Sequence, residues 1–237
     1  MSADKVFITA RWENLLIVTY KVPYEVLQPH LPPGLELDTI DGHAFASVVA
    51  FDFNDTKVKG IRVPFNVDFP EINLRFYVKN KTKRGVVFIK EFVPKLFIPF
   101  VANNLYNENY MYAPMESSII RGDVLKLDHK LYQDNKSYSL RAEAENKPFT
   151  PAHDTTEHFF KEHEWGFGRT KKSETMVYRV EHPVWEIYPV LDFSHTFDFS
   201  EIYGAEWKTL NGQKPYNITF AKGSEIKVFE GEILQDK

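Results

Sequence analysis

The chain contains no cysteine. That excludes a disulfide framework, a thiol nucleophile and any cysteine-based zinc or iron–sulfur site. Glycine is scarce, at 11 of 237 residues. Neither phosphate-cradling glycine pattern, G-x-G-x-x-G or G-x-x-x-x-G-K-[ST], occurs, and the G-x-S-x-G turn of serine hydrolases is also absent. Nucleotide-dependent chemistry and serine hydrolysis lose ground accordingly. There is no excess of positive charge: the formal net charge is −4, which argues against a nucleic-acid surface. The most apolar stretch, LFIPFVANNL, is short and broken by Pro99, so no membrane span is expected. The opening residues, MSADKVFITARWENLL, lack an apolar core and a small-residue cleavage site. With no cysteine either, the expectation is a cytoplasmic protein with no membrane partner.

What the sequence has in plenty is aromatic side chains: 20 Phe, 12 Tyr and 4 Trp. Its texture is strand-rich. Trp12 to Val22 is dense in β-branched and aromatic residues. Pro23 suits the start of a short helix, YEVLQPH, which Pro32-Pro33-Gly34 stops. Leu35–Thr39 and His43–Phe53 flank Asp41-Gly42, a hairpin signal. Phe69–Lys79 reads as a strand, KTKRG (Lys81–Gly85) as a hairpin tip, and Val86–Phe92 as the return. Between Pro94 and Tyr106 the period changes, with Leu96, Phe97, Phe100, Val101 and Leu105 on one helical face. Gly122–Leu127, Ser137–Glu143 and Met176–His182 alternate like strands, and Lys227–Leu234 reads as the last one. Asp154 and Glu157 resemble a capping box for a helix running to about Glu164 and ending at Gly166. No linker, repeat or low-complexity tract interrupts the chain, so residues 1–237 read as a single domain. The expected fold is mainly β: a strongly bent antiparallel sheet or barrel with two or three helices packed outside it.

Phe69–Lys79, FPEINLRFYVK, is the most informative segment. Strand alternation puts Ile72, Leu74, Phe76 and Val78 on one face and Glu71, Asn73, Arg75, Tyr77 and Lys79 on the other. The second face either meets water or lines a cavity. Glu71 and Arg75 stand roughly 13 Å apart along the backbone, with Asn73 between them. Such a row can orient a carboxylate, because arginine offers a fork of donors and asparagine both a donor and an acceptor. A buried Arg75–Glu71 pair would be a purely structural use of the same residues.

His153, Glu157, His158, Glu162 and His163 gather groups that a metal favours. The His-Glu-x-x-His spacing is absent, however, and Phe159 and Phe160 suit the buried face of the helix. A solvated helix face accounts for the cluster, and no metal site or other cofactor is expected. His182, in His-Pro-Val-Trp, reads equally as a strand-end residue or a general base.

Several segments taken together resemble one family. They are Trp12-x-x-Leu15-Leu16, LQPHLPPGLELDTIDGHAFASVVAF (Leu27–Phe51), FPEINLRFYV (Phe69–Val78), Gly85-Val86-Val87-Phe88, EHFFKEHEWGF (Glu157–Phe167) and VEHPVW (Val180–Trp185). In order and spacing they are similar to the YqjF-like family of uncharacterised bacterial proteins, a branch of the acetoacetate-decarboxylase-like superfamily. The resemblance covers about residues 10–230 and thins after Trp185. It implies an antiparallel β-barrel or cone around a central cavity, with helices outside. It also implies that the strand carrying Glu71 lines that cavity, with Asn73 and Arg75 beside it.

The superfamily's decarboxylases form a Schiff base on a lysine, and the resemblance places that position on Tyr110, or on Met115 if the alignment slips. No lysine occurs between Lys95 and Lys126, and Asn103 stands where an arginine is expected. Schiff-base decarboxylation is therefore not expected, whatever the fold. The leading expectation is a cavity binding a small, partly apolar carboxylate or oxo-acid through Asn73, Arg75, Tyr77 and Met115. The alternative is a lysine-independent isomerase, hydratase or lyase acting on an oxo-acid. There Glu71 would be the base and Tyr110 a proton donor or enolate stabiliser. A third reading is an interaction protein whose aromatics simply fill the core. The sequence leaves open whether the chain is a monomer or a homo-oligomer.

Overall fold

A computed structural model describes residues 5–62, 64–65, 67–81, 83–95 and 109–235. The helical face expected from Leu96 to Leu105, and Asn103, lie outside the described residues. In chain order the strands begin with β1 (Val6–Val22), β2 (Glu36–Leu37), β3 (Ala44–Val58), β4 (Phe69–Asn80), β5 (Lys83–Val93), β6 (Tyr110–Tyr112) and β7 (Met115–Ile120). They continue with β8 (Val124–Gln133), β9 (Lys136–Glu145), β10 (Trp165–Arg169), β11 (Thr175–Glu181), β12 (Ile187–Tyr188), β13 (Val190–His195), β14 (Asn217–Phe229) and β15 (Glu232–Ile233). The described helices are short: α1 (Tyr24–Leu27), α2 (Thr156–Lys161) and α3 (Phe199–Tyr203).

The larger sheet runs β14-β1-β3-β4-β5-β10-β11, and β11 pairs again with β14 through Val180↔Val228 and Glu181↔Lys227. The strands thus close into a cone-like ring, which removes free edges along most of the sheet. The ring is antiparallel except where β10 meets β5 in parallel. Alternation along β1 and β3 sorts the side chains into two sets. Leu15, Ile17, Val49 and Phe51 belong to one apolar cluster, and Leu16, Val18, Val48 and Ala50 to another. Both sets are buried, which is why NLLIVTYKV and FASVVAF read as nearly unbroken apolar runs.

The second set has a cover that the sequence did not reveal. β13-β9-β8-β7 form a separate four-stranded antiparallel sheet. Its Leu125, Leu127, Leu140 and Ala142 pack with Leu16, Val18, Ile72 and Leu74 in one core, joined by Trp207 and Phe199. Arg141 and Lys126 point away from it to Asp128 and Glu143. The first set lies inside the ring.

Local signals account for several turns. Asp41 (φ 50°) and Gly42 (φ 74°) are both left-handed between the bridged Ile40 and His43, as a type I′ turn requires. The strand before that turn is shorter than expected, and β2 pairs with β4 instead of β3. The helix expected from Asp154 to Glu164 is also shorter. Its cap is Thr155, whose side chain accepts from the His158 N–H, and Glu162 already leaves helical geometry. Gly166 does not end a helix: it lies inside β10, where the Tyr178 ring occupies the space of a Cβ.

Candidate functional site

Alternation along β4 turns Glu71, Asn73 and Arg75 into the ring, where they line a cavity of about 140 Å³. Most of its wall is apolar, with Trp12, Phe51, Phe53, Phe69 and Trp185 prominent. Trp12 meets Phe51 and Phe53 edge to face at 5.1 Å and 5.6 Å, while Phe53 and Phe69 stack at 4.8 Å.

Glu71 is 2% exposed. Its Oε1 accepts from Asn73 Nδ2 at 2.8 Å and its Oε2 from the Tyr110 hydroxyl at 3.2 Å. Burial pushes its pKa up to about 7; the two hydrogen bonds and the Arg75 charge pull the other way. Tyr110 reaches this point because β6 runs parallel to β5, with Tyr110 opposite Glu91.

Arg75 does not pair with Glu71 among the described residues. Its Nη2 donates to the Phe160 carbonyl at 3.0 Å, and its guanidinium lies 5.9 Å from the Tyr77 ring centre. Among the described residues, Arg75 Nε and Asn73 Oδ1 are buried without a hydrogen-bond partner.

The two remaining expected residues fall elsewhere. Tyr77 shares the parity of Arg75 but is 1% exposed and packs with Phe45, Val86 and Phe160. Its hydroxyl shares a 2.5 Å hydrogen bond with Ser47 Oγ and sits 3.4 Å from the Phe160 carbonyl. The end of α2 covers this part of the ring, so Tyr77 is a packed core residue outside the cavity wall. Met115 starts β7 in the second sheet and packs on the outer core, on the far side of the ring wall from the cavity.

Further polar residues also reach the cavity, among them Glu91 and Lys161, which the sequence did not point to, and His163 and His182, which it offered only as a metal-cluster member and as a strand-end residue or general base. Glu91 arrives through a bulge. Near the hairpin tip Arg75 pairs with Phe88, but Leu74 pairs with Lys90 and Asn73 with Glu91. This one-residue slip carries Glu91 to the cavity face. It sends Lys90 to the other face, where its Nζ donates to the Ile202 carbonyl at 2.7 Å. An unbroken two-residue hairpin would have placed Lys90 beside Asn73.

Lys161 and His163 enter because α2 stops early. The Lys161 side chain is fully buried and ion-paired with Glu162, whose Oε1 also accepts from the Trp185 N–H at 3.2 Å. His163 has no hydrogen-bond partner on either ring nitrogen among the described residues. Burial holds its pKa well below the usual imidazole range, reinforced by the charges of Arg75 and Arg84. It is therefore neutral at pH 7. The histidine-rich stretch consequently divides: His153 and His158 contact each other at 3.2 Å near the surface, while His163 faces inward. No group of three or more potential metal ligands forms among the described residues, and no described helix is long and apolar enough to cross a membrane.

A family profile described as an uncharacterized conserved protein, DUF2071, matches residues 9–225. The chain belongs to the DUF2071 family. A relative, the uncharacterized protein YqjF of Bacillus subtilis (strain 168), is 28% identical over 153 residues, covering 64% of this chain. That match spans 63% of YqjF's own length. Among solved structures, this DUF2071 chain is similar to the acetoacetate decarboxylase of Legionella pneumophila (TM-score 0.69, 14% identity, 100% of this chain and 93% of that one). It is similar to an acetoacetate decarboxylase-like enzyme of Sphingomonas wittichii RW1 (TM-score 0.67, 12% identity, 99% and 95%). It is also similar to the enduracididine biosynthesis enzyme MppR complexed with pyruvate (TM-score 0.66, 14% identity, 100% and 93%). At these identities the likeness is one of fold, and it agrees with the cone-like ring expected from the sequence.

Proposed function

We propose that this DUF2071 protein binds a small, partly apolar carboxylate or oxo-acid in the ring's cavity. The observation that carries the reading is Arg75, whose buried Nε meets no partner among the described residues and borders the cavity beside the unmet Oδ1 of Asn73. A buried donor left unpaired costs about 1–3 kcal/mol, so a ligand carboxylate satisfying it gains correspondingly. The volume of about 140 Å³ is close to that of an engineered ~150 Å³ cavity that admits benzene, which sets the scale at a short-chain acid. The aromatic wall supplies the apolar contact. The pyruvate held by MppR, on a similar fold, supports the same class. Schiff-base decarboxylation is not part of this reading: Tyr110 or Met115 stands where the superfamily resemblance puts the lysine, and Lys161 is held in an ion pair with Glu162.

Calorimetric titration with pyruvate, isobutyrate and 3-methyl-2-oxobutyrate tests the assignment. At least one acid should bind the wild type, and Arg75→Met should weaken it at least about tenfold with an unchanged circular-dichroism spectrum. Binding of none of them, or equal affinity in Arg75→Met, overturns it.

A second reading is favoured by Glu71. A carboxyl with a pKa pushed up to about 7 is poised to exchange a proton near neutral pH. It would take a proton from the carbon beside a carbonyl, while the Tyr110 hydroxyl holds the carboxyl in place. Isomerisation, hydration or lyase chemistry on an oxo-acid follows from such a base. Proton NMR of 2-oxobutyrate in heavy water reads its first step: wild type should speed exchange of the carbon-3 hydrogens, and Glu71→Gln should abolish the acceleration. A fully active Glu71→Gln removes Glu71 as the base.

A further inference from the structure

His163 has no role in the binding scheme above, yet it borders the same cavity. The residue is half-buried, but both of its ring nitrogens are buried and lack a partner among the described residues. Its ring is held from behind: the Tyr77 ring centre lies 5.0 Å away and that of Phe159 5.7 Å away. Arg75 leans on the same Tyr77 ring at 5.9 Å, so the two side chains flank one support. A neutral imidazole always presents one N–H and one bare nitrogen. Burying both without partners is costly, and one side of the imidazole faces the cavity.

We infer that His163 selects acids that carry an oxygen on the carbon next to the carboxylate, by donating its ring N–H to that oxygen while Arg75 holds the carboxylate. This rests on the carboxylate reading above and narrows it to 2-oxo and 2-hydroxy acids. A short unsubstituted acid leaves the imidazole unmet; a 2-oxygenated one satisfies it. Discrimination by a site with an unmet polar group is stronger than discrimination by shape, because the wrong ligand leaves that group buried and unpaired.

The test compares butyrate, 2-oxobutyrate and 2-hydroxybutyrate by titration calorimetry, on wild type, His163→Phe and His163→Gln. Wild type should bind at least one 2-oxygenated acid about tenfold more tightly than butyrate. His163→Phe, which keeps a ring against Tyr77 and Phe159, should reduce that preference to within about twofold and leave butyrate affinity unchanged. His163→Gln restores a donor and should recover part of the preference; it also serves if the phenylalanine variant does not fold. Butyrate binding without any preference in wild type, or a preference that survives in His163→Phe, overturns the role of His163 and leaves the carboxylate reading standing. Failure of all three acids to bind wild type overturns both.

Discussion

The Tyr110 hydroxyl donates to Oε2 of Glu71 at 3.2 Å. At one of the two positions where the superfamily resemblance places an amine, this chain has a phenol, and the phenol is spent on a carboxyl group. The bond favours the ionised form of Glu71 and so opposes burial, the larger influence, which has raised its pKa to about 7. Tyr110→Phe should therefore move the Glu71 titration upward. Carbon-13 carboxyl NMR across pH 5 to 9 would follow it directly. A midpoint that stays put or falls would show that the phenol does not act on Glu71.

The same shift couples to stability. An exposed glutamate titrates near 4.5, and Glu71 in the fold near 7. Between those values the folded protein holds a proton that the unfolded chain has released, so stability falls as pH rises through this window. The contribution is fully present below about 4.5 and gone above about 7. Glu71→Gln cannot titrate, and its stability should lack this slope. Thermal melts of both proteins from pH 5 to 8 should show the wild-type melting temperature falling relative to the variant's. Parallel curves would mean that Glu71 is not perturbed in solution.

The alternation in FPEINLRFYVK was legible because it is a local property. Ile72, Leu74 and Phe76 had to face one way and Glu71, Asn73 and Arg75 the other. What lay beyond each face was not legible. The apolar face meets a second sheet whose strands come from residues 115–145 and 190–195, a long-range packing that no local pattern announces. The polar face changes character after Arg75, because α2 lies over Tyr77. Glu91 was hidden by a bulge, since one extra residue reverses the face of everything beyond it. His163 was hidden by a helix ending several residues before its propensity suggests. The strand rows of the site were readable from the sequence; the residues delivered by irregular backbone were not.

Tyr77 separates the two uses of that row. Its hydroxyl belongs to a buried chain in which Thr19 and Ser47 are 2.7 Å apart and Ser47 and Tyr77 2.5 Å apart. Tyr77→Phe keeps the ring but leaves Ser47 short of a partner, which should cost about 1–2 kcal/mol. The melting temperature should fall by about 2–8 °C, while the affinity for whichever acid binds stays within about twofold. Loss of affinity without loss of stability would return Tyr77 to the binding wall.

Two glycines test how the wall is assembled. A Cβ at Gly85 would lie 2.2 Å from the Trp165 carbonyl oxygen, at the parallel joint between β5 and β10. That neighbour is backbone inside the ring and cannot give way without opening the joint. A Cβ at Gly166 would lie 2.2 Å from Cζ of Tyr178, but there the obstacle is the far end of a side chain that can swing. Gly85→Ala should therefore destabilise the protein by about 3 kcal/mol or more, lowering the melting temperature by roughly 6–12 °C. Gly166→Ala should cost distinctly less stability. It should change ligand affinity instead, because Tyr178 lines the cavity and must move. Equal losses in the two variants, or a larger loss for Gly166→Ala, would show that the β5–β10 joint is more pliable than its backbone contact indicates.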